Sequence, residues 1–397
     1  MSVTYAKGFR AAGITAGFKP SGLPDLGLLV GEPGTTASGL FTTNRVAAAP
    51  VWLSKERLAA DAPRAVLVNS GQANAATGAR GLQDATRSTA AVADLLGVDP
   101  GDVLPASTGV IGEPLHMEVL LGALPKLGGA LSADGGGDFA RAIMTTDTVD
   151  KQATADAGRV RVGGCAKGVG MISPNLATML VFITTDAAVP APELQRLAEQ
   201  ELPHRFNALT VDACTSTNDT VLLFASGAAG EPLVAPGSPA WHSLSEAVAE
   251  VGESLLQQLA ADAEGVHHVL LIDVAGATSQ EDARRAAKAV ADSPLVKTAA
   301  FGGDPNPGRI LQAVGARGAP VDPARIDIAV GDVPLVHGGV IDPAYFGDGP
   351  LHDAAQAQMR GPEIAVHISL GAGPGTSRAL GCDLSYDYVR INGEYTT

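Results

Sequence analysis

Residues 171–180 read MISPNLATML, and the stretch places Thr178 directly before a short apolar run, Met179-Leu180-Val181-Phe182-Ile183. The run is partly β-branched and reads as a buried strand. It is entered through Lys167-Gly168-Val169-Gly170 and then Pro174-Asn175, a turn signal that interrupts the chain ahead of the strand. Two readings of Thr178 follow. In the ordinary one it opens the strand, where threonine is favoured by β-propensity. In the other, the Ala177–Thr178 bond is cut and Thr178 becomes an N-terminal nucleophile. A threonine hydroxyl needs a base, and an α-amine, with an ordinary pKa of roughly 7.7–8.0, suits neutral pH far better than a lysine at roughly 10.4. Only a chain terminus carries hydroxyl and α-amine on one residue.

Moving outward, 397 residues are enough for two or three domains and a large core. An apolar content of 46% with 17% charged residues fits a globular enzyme rather than a disordered chain. The opening MSVTYAKGFRAAG lacks a leader's apolar core, and no run has the ~18 apolar residues of a membrane span. The three cysteines, Cys165, Cys214 and Cys382, are far apart and form no CxxC. A reducing cytoplasm without disulfides or structural zinc is therefore expected.

The net charge of −15 is uneven: residues 1–177 hold 15 basic and 15 acidic side chains, residues 178–397 hold 12 and 27. Such an acidic half disfavours nucleic acid as a partner, since phosphate recognition rewards clustered Lys and Arg.

Strand-like segments bounded by Gly, Asn or Asp recur, as in RAVLVNSGQ, HVLLIDVAGA and RIDIAVGDVPLV, with helical patterns between them. The clearest helix is expected from Ser243, in a Ser243-x-x-Glu246 capping box, with Leu244, Val248, Val251, Leu255 and Leu259 on one face and Gly265 as its stop. The Gly-rich LSADGGGD at 131–138 and the Pro-rich GEPLVAPGSPA at 230–240 read as surface loops. No phosphate loop, G-x-S-x-G elbow or H-E-x-x-H is present, and the adjacent His267 and His268 would point to opposite faces of a strand. No metal site is expected.

AKGVGMISPNLATML closely resembles the processing-site signature of the ornithine acetyltransferases, the bifunctional glutamate N-acetyltransferases of arginine biosynthesis. Collinear segments carry the resemblance along nearly the whole chain: GFRAAGITAGFKPSGLPDLGLLV, FTTNRVAAAPV, NSGQANAATG, STGVIG, AIMTTDT, DACTSTNDTVLL, SPLVKTA, DPNPGRILQAVG and DLSYDYVRINGEYTT. The resemblance implies autocleavage at Ala177–Thr178 and an acetyl-accepting Thr178, with Thr108 and Gly109 of STGVIG as the oxyanion hole. It implies substrate contacts at Thr145, Lys167 and Glu264, with Asn392 and Thr397 closing the pocket. By default these would be a turn, surface charges and a frayed terminus.

The implied fold is α/β, with layered sheets and helices and a smaller C-terminal α/β domain. Its parts would be fragment 1–177, the rest of the catalytic core at 178–290, and a terminal domain at 291–397, assembled as an α2β2 heterotetramer. The implied reaction moves acetyl from N2-acetyl-L-ornithine to L-glutamate with no cofactor, acetyl-CoA being an optional co-substrate of some members. The alternatives are an N-terminal-nucleophile amidohydrolase or aminopeptidase, an unprocessed paralogue without activity, and a related acetyltransferase of a specialised pathway. Two positions depart from the family pattern: Pro307 stands where DPNWGR has Trp, and His268 ends the EGATK segment, here Glu264-Gly265-Val266-His267-His268. They bear on the acyl acceptor rather than on the nucleophile.

Overall fold

The computed structural model describes residues 2–60, 62–172, 179–347 and 349–394. The fold is mixed α/β, with layered sheets and helices. The chain divides into two compact units: one up to Asn207 with Cys214–Asp262, the other Ala208–Ala213 with the described residues from Ala263 to Glu394.

The first unit is built in chain order from β1 (Phe9–Ile14), β2 (Leu26–Gly31), β3 (Thr36–Phe41), α1 (Ala49–Ala60), β4 (Ala65–Gln72), α2 (Gly78–Leu96), β5 (Val103–Val110), α3 (Met117–Gly129) and α4 (Gly136–Ala142). There follow β6 (Lys151–Ala157), β7 (Val160–Lys167), β8 (Leu180–Thr185), α5 (Ala191–Glu201), α6 (Pro203–Phe206), β9 (Thr220–Ala225) and α7 (Pro239–Ala261). One sheet has the order β1-β2-β4-β5 and the other β3-β9-β8-β7-β6.

Alternation along the strands sorts side chains between two cores. Leu29, Val66, Val68, Leu104 and Ala106 of the first sheet share a cluster with Leu180, Phe182, Leu222 and Phe224 of the second. Helix α4 contributes Phe139 to that cluster, edge-on to Phe182 at 5.2 Å between ring centroids. On its other face the first sheet packs Leu26, Leu28, Leu67 and Val103 against Leu120, Leu124 and Leu127 of α3 and Val92 of α2. Helix α5 packs on β3 and β9, and α7 on β6 and β7. The layers therefore run helix, sheet, sheet, helix. Burying both faces of each sheet explains why β2 and β8 are buried at every position.

Two local expectations change. Helix α7 starts at Pro239, not Ser243, because Ser238 is the N-cap, its hydroxyl accepting from Trp241 N–H, and Pro239 fits the first turn. The apolar stripe Leu244, Val248, Val251, Leu255 and Leu259 is buried as its spacing requires. The Gly-rich stretch is not a free surface loop. Gly135 lies against β1, where a Cβ would stand 1.9 Å from the Ala11 carbonyl oxygen, and Gly136 already begins α4.

The second unit comprises β10 (Val269–Ala277), α8 (Gln280–Ala291), α9 (Pro294–Phe301), α10 (Pro307–Val314), β11 (Asp327–Val330), β12 (Val333–His337), β13 (Val340–Ile341), α11 (Pro350–Gln358), β14 (Glu363–Ser369), β15 (Gly375–Cys382) and α12 (Tyr386–Glu394). Its sheet has the order β13-β12-β11-β14-β10-β15. The unit begins at Ala263 instead of near 290, because β10 is an inner strand, parallel to β14 and antiparallel to β15. Leu209 bridges to Leu380, which brings Ala208–Ala213 into the same unit. No helix among the described residues is long and apolar enough to cross a membrane.

Candidate active site

Strands β4 and β5 run parallel, and their register sets Ser70 beside Thr108 and Gly71 beside Gly109. Thr108 is buried at the end of β5. Gly109 has φ +129°, and a Cβ there would lie 2.3 Å from the Gly71 carbonyl carbon. Glycine is thus demanded twice, by conformation and by space. The turn beyond β4 is held from across the unit: the Asn218 amide donates to Ala73 O at 2.6 Å and to Ser107 O at 2.8 Å. Ser107 in turn donates to Asn69 Oδ1 at 2.6 Å. This buried amide network fixes the backbone just ahead of Thr108.

Lys167 ends β7, with its ammonium directed at the same place. It donates to Thr145 Oγ1 at 2.8 Å and reaches Thr108 Oγ1 at 3.5 Å. Asp147 lies 3.8 Å from it. The Asp147 carboxylate also accepts from Thr145 N–H at 3.0 Å and Gly168 N–H at 2.8 Å. Lys151, fully buried, joins Asp147 at 2.8 Å to Asp262 at 2.6 Å. Burial alone would raise the Asp147 carboxyl, but Lys167 and Lys151 outweigh it and hold the group down at about 2. Asp147 therefore stays ionised and orients Lys167 toward Thr108 and Thr145.

Strands β7 and β8 are antiparallel neighbours, with Lys167 opposite Leu180. The connecting segment thus leaves and re-enters the sheet at the Lys167 cluster. Ala177 and Thr178 fall in that connection and lie outside the described residues, as does Thr397. On re-entry, Met179 N–H donates to Asp219 Oδ1 at 3.2 Å and Met179 O accepts from Thr220 N–H at 3.1 Å.

The first unit thus gathers Thr108, Gly109, Thr145 and Lys167. In the second unit, Glu264 is buried and accepts from the Asn392 amide of α12 at 2.9 Å. The two departing residues have local roles there too. The His268 ring bonds through Nδ1 to Gly361 O at 2.6 Å, while His267 pairs with Asp387 at 3.1 Å. Pro307 is the first residue of α10, following Asn306, whose side chain accepts from Arg309 N–H.

The sequence motifs by themselves assign no role to Asp147, Lys151, Asn218 or Asp219. Asp147 lies within AIMTTDT, and Asn218-Asp219 within DACTSTNDTVLL. Two adjacent polar residues directly ahead of an apolar strand are the only signal the sequence offers for the second pair.

The ArgJ family model matches residues 10–397. The arginine biosynthesis bifunctional protein ArgJ of Thermosynechococcus vestitus is 45% identical over 411 residues, spanning all of this chain and 98% of that protein. The protein of that name from Thermus thermophilus is 46% identical over 401 residues, with both chains fully covered. A solved ornithine acetyltransferase from Mycobacterium tuberculosis, complexed with ornithine, is 40% identical over 44% of this chain and 96% of its own, with a TM-score of 0.41. Such identity over the full length leaves one assignment: the chain belongs to the ArgJ family.

Proposed function

We propose that the protein is an autoprocessed glutamate N-acetyltransferase that moves acetyl from N2-acetyl-L-ornithine to L-glutamate through an ester on Thr178. The observation that carries this reading is the cluster in which Lys167, at the end of β7, reaches Thr145 and the Thr108–Gly109 end of β5; the Thr178 segment departs from β7 there and re-enters the same sheet in β8.

In this reading the Thr178 hydroxyl first adds to the Ala177 carbonyl. The C–N bond breaks to an ester, and water releases the two fragments. The freed α-amine then serves as the base. Thr178 Oγ attacks the acetyl carbonyl of the donor, ornithine leaves, and the glutamate amine takes the acetyl group from the ester. The Thr108 hydroxyl and Gly109 N–H stabilise the oxyanion of each tetrahedral intermediate, a role for which each donor is worth ~3 kcal/mol. Lys167 and Thr145 contact substrate, Lys167 through a carboxylate. Glu264 binds the substrate ammonium, and Asn392 and Thr397 close the pocket. The acetyl group rides on the protein, so this half-cycle needs no cofactor, and acetyl-CoA is an optional second donor. The working form is a cytoplasmic α2β2 heterotetramer.

Intact-mass analysis tests the proposal. The purified protein should give fragments 1–177 and 178–397, and N2-acetylornithine alone should add one acetyl group to the second. Thr178→Ala should remain one inactive chain. Addition of glutamate should yield acetylglutamate; release of acetate instead would assign the protein to the hydrolases.

A further inference from the structure

The loop joining β1 to β2 holds a lysine that the acetyl-transfer steps leave unused. Asp25, fully buried at the end of that loop, accepts from four successive N–H groups: Ala16 at 2.6 Å, Gly17 at 3.0 Å, Phe18 at 2.6 Å and Lys19 at 3.0 Å. The Asp25 carbonyl accepts from Ser70 N–H at 2.9 Å and so ties the loop to β4. The loop is thereby held against the paired ends of β4 and β5. The Phe18 carbonyl oxygen lies 3.2 Å from where a Cβ on Gly71 would stand, and Gly71 is the register partner of Gly109. The Phe18 ring stacks on that of His116 at 6.4 Å between centroids.

Lys19 follows Phe18 by one Cα step, about 3.8 Å. Its side chain is half-buried and donates to Pro24 O at 2.6 Å, its one side-chain hydrogen bond among the described residues. An ammonium has three donors, so two are left for a ligand. The charges acting on Lys19 are Asp25 of its own loop, Lys167 at the end of β7 and Asp147 ahead of β6. Both carboxylates are already engaged, Asp25 by its four N–H groups and Asp147 by Lys151 and Gly168 N–H. Lys19 and Lys167 therefore bring two ammoniums to the Thr108–Gly109 end of β5. Burial lowers the Lys19 ammonium to about 8; Asp25 and Asp147 oppose the fall, and Lys167 deepens it.

The two substrates of the proposed reaction differ in charge at one place. N2-acetylornithine has one carboxylate and a side-chain ammonium, whereas glutamate has two carboxylates. A carboxylate for Lys167 is common to both, which leaves the second carboxylate of the acceptor without a cation. Resting on the acetyltransferase reading above, we propose that Lys19 is the acceptor-specificity residue: it receives the second carboxylate of a dicarboxylic acceptor, beside the one that Lys167 holds. Such a hydrogen bond is charged on both sides and partly withdrawn from water, which makes it strong. A lysine of weakened proton affinity also suits a site visited in turn by side chains of opposite charge. The acceptor's carboxylate keeps it protonated, and the donor's ammonium drives its proton to solvent.

L-Glutamine is glutamate with the second carboxylate made neutral, and so isolates this contact. The protein is acetylated with N2-acetylornithine, excess donor is removed, and the second-order rate at which each acceptor takes the acetyl group is measured. Lys19→Met should lower the glutamate rate about tenfold or more and the glutamine rate about threefold or less, so that the preference collapses. In wild type, a measurement that needs no variant, the preference for glutamate should fall as pH rises through about 8, where Lys19 loses its proton. Both acceptors present an α-amine, so its titration cancels in the ratio. Equal losses for the two acceptors in Lys19→Met, or a wild-type preference that does not move with pH, would show that Lys19 only shapes its loop, and the assignment falls alone. A wild-type protein that passes acetyl to neither acceptor overturns the acetyltransferase reading and this proposal with it.

Discussion

At the scale of single residues, the site depends on a position where any side chain collides. Gly109 combines φ +129° with a neighbouring strand backbone 2.3 Å from its virtual Cβ. Gly109→Ala must therefore move either β5 or the Gly71–Gln72 peptide, and with it the N–H that the proposed function offers to the oxyanion. The expected loss in kcat/KM is about 100-fold or more, the scale seen when an oxyanion donor is displaced. Acetyl transfer rates and melting temperatures of the variant check this; near wild-type turnover would show that the donor lies elsewhere. The motif STGVIG makes Thr108 and Gly109 legible, and TTDT and AKG do the same for Thr145 and Lys167. What stays hidden are residues whose meaning comes from distant partners. Asn218 braces Ala73 and Ser107, 145 and 111 positions away. Asp219 matters because its carboxyl meets Met179 N–H, 40 positions back along the chain. No spacing rule reports such pairings, since the second sheet sets them only after it has formed.

Elements converge on the site through a buried chain of charge. Lys151 opens β6, Asp262 follows α7, and Asp147 lies between α4 and β6, so one ammonium ties three segments together. Removing Lys151 leaves two buried carboxylates facing one another. Lys151→Met should cost about 3–5 kcal/mol, the usual penalty for breaking a buried pair from one side. Asp147 adds a pH dependence with a definite sign. Its folded carboxyl titrates at about 2 against an ordinary 3.8, so the stability it contributes is present above about pH 4 and is lost as pH falls toward 2. That shift corresponds to about 2 kcal/mol at neutral pH. Urea unfolding of Asp147→Asn and wild type at pH 7 and pH 3 should show a large difference at pH 7 that narrows at pH 3. A constant difference would mean that packing, not charge, is what Asp147 supplies. Periodicity locates the buried face of α7 but not its start, because Ser243 and Ser238 both look like caps. Only Ser238 has a proline next to it and the Trp241 N–H within reach.

For the whole molecule, the consequence of the proposed cleavage at Ala177–Thr178 is set by strand order. The sheet β3-β9-β8-β7-β6 alternates between the two fragments: β3, β7 and β6 precede the cut, β8 and β9 follow it. Each fragment strand at a junction is hydrogen-bonded to the other fragment, β7 with β8 and β3 with β9. The cut therefore opens the chain without opening a sheet, and the shared core of Phe139, Phe182, Leu222 and Phe224 stays closed. A buried strand at the cut already implies, from sequence, that the fragments remain together, but the interleaving needs the strand order. It also explains why the jump in charge at residue 178 does not mark a unit boundary: fragment 1–177 and part of 178–397 build one unit. Accordingly, the two fragments should co-elute in native size-exclusion chromatography, separate only in denaturant, and melt in one transition for this unit. Fragment 178–397 expressed alone should be insoluble, since β8 and β9 would each expose an unpaired edge beside half of an apolar core. Co-expression with fragment 1–177 should restore solubility. A soluble, monomeric 178–397 would show that β8 and β9 fold without β3 and β7, and that the fragments are held together by something other than this sheet.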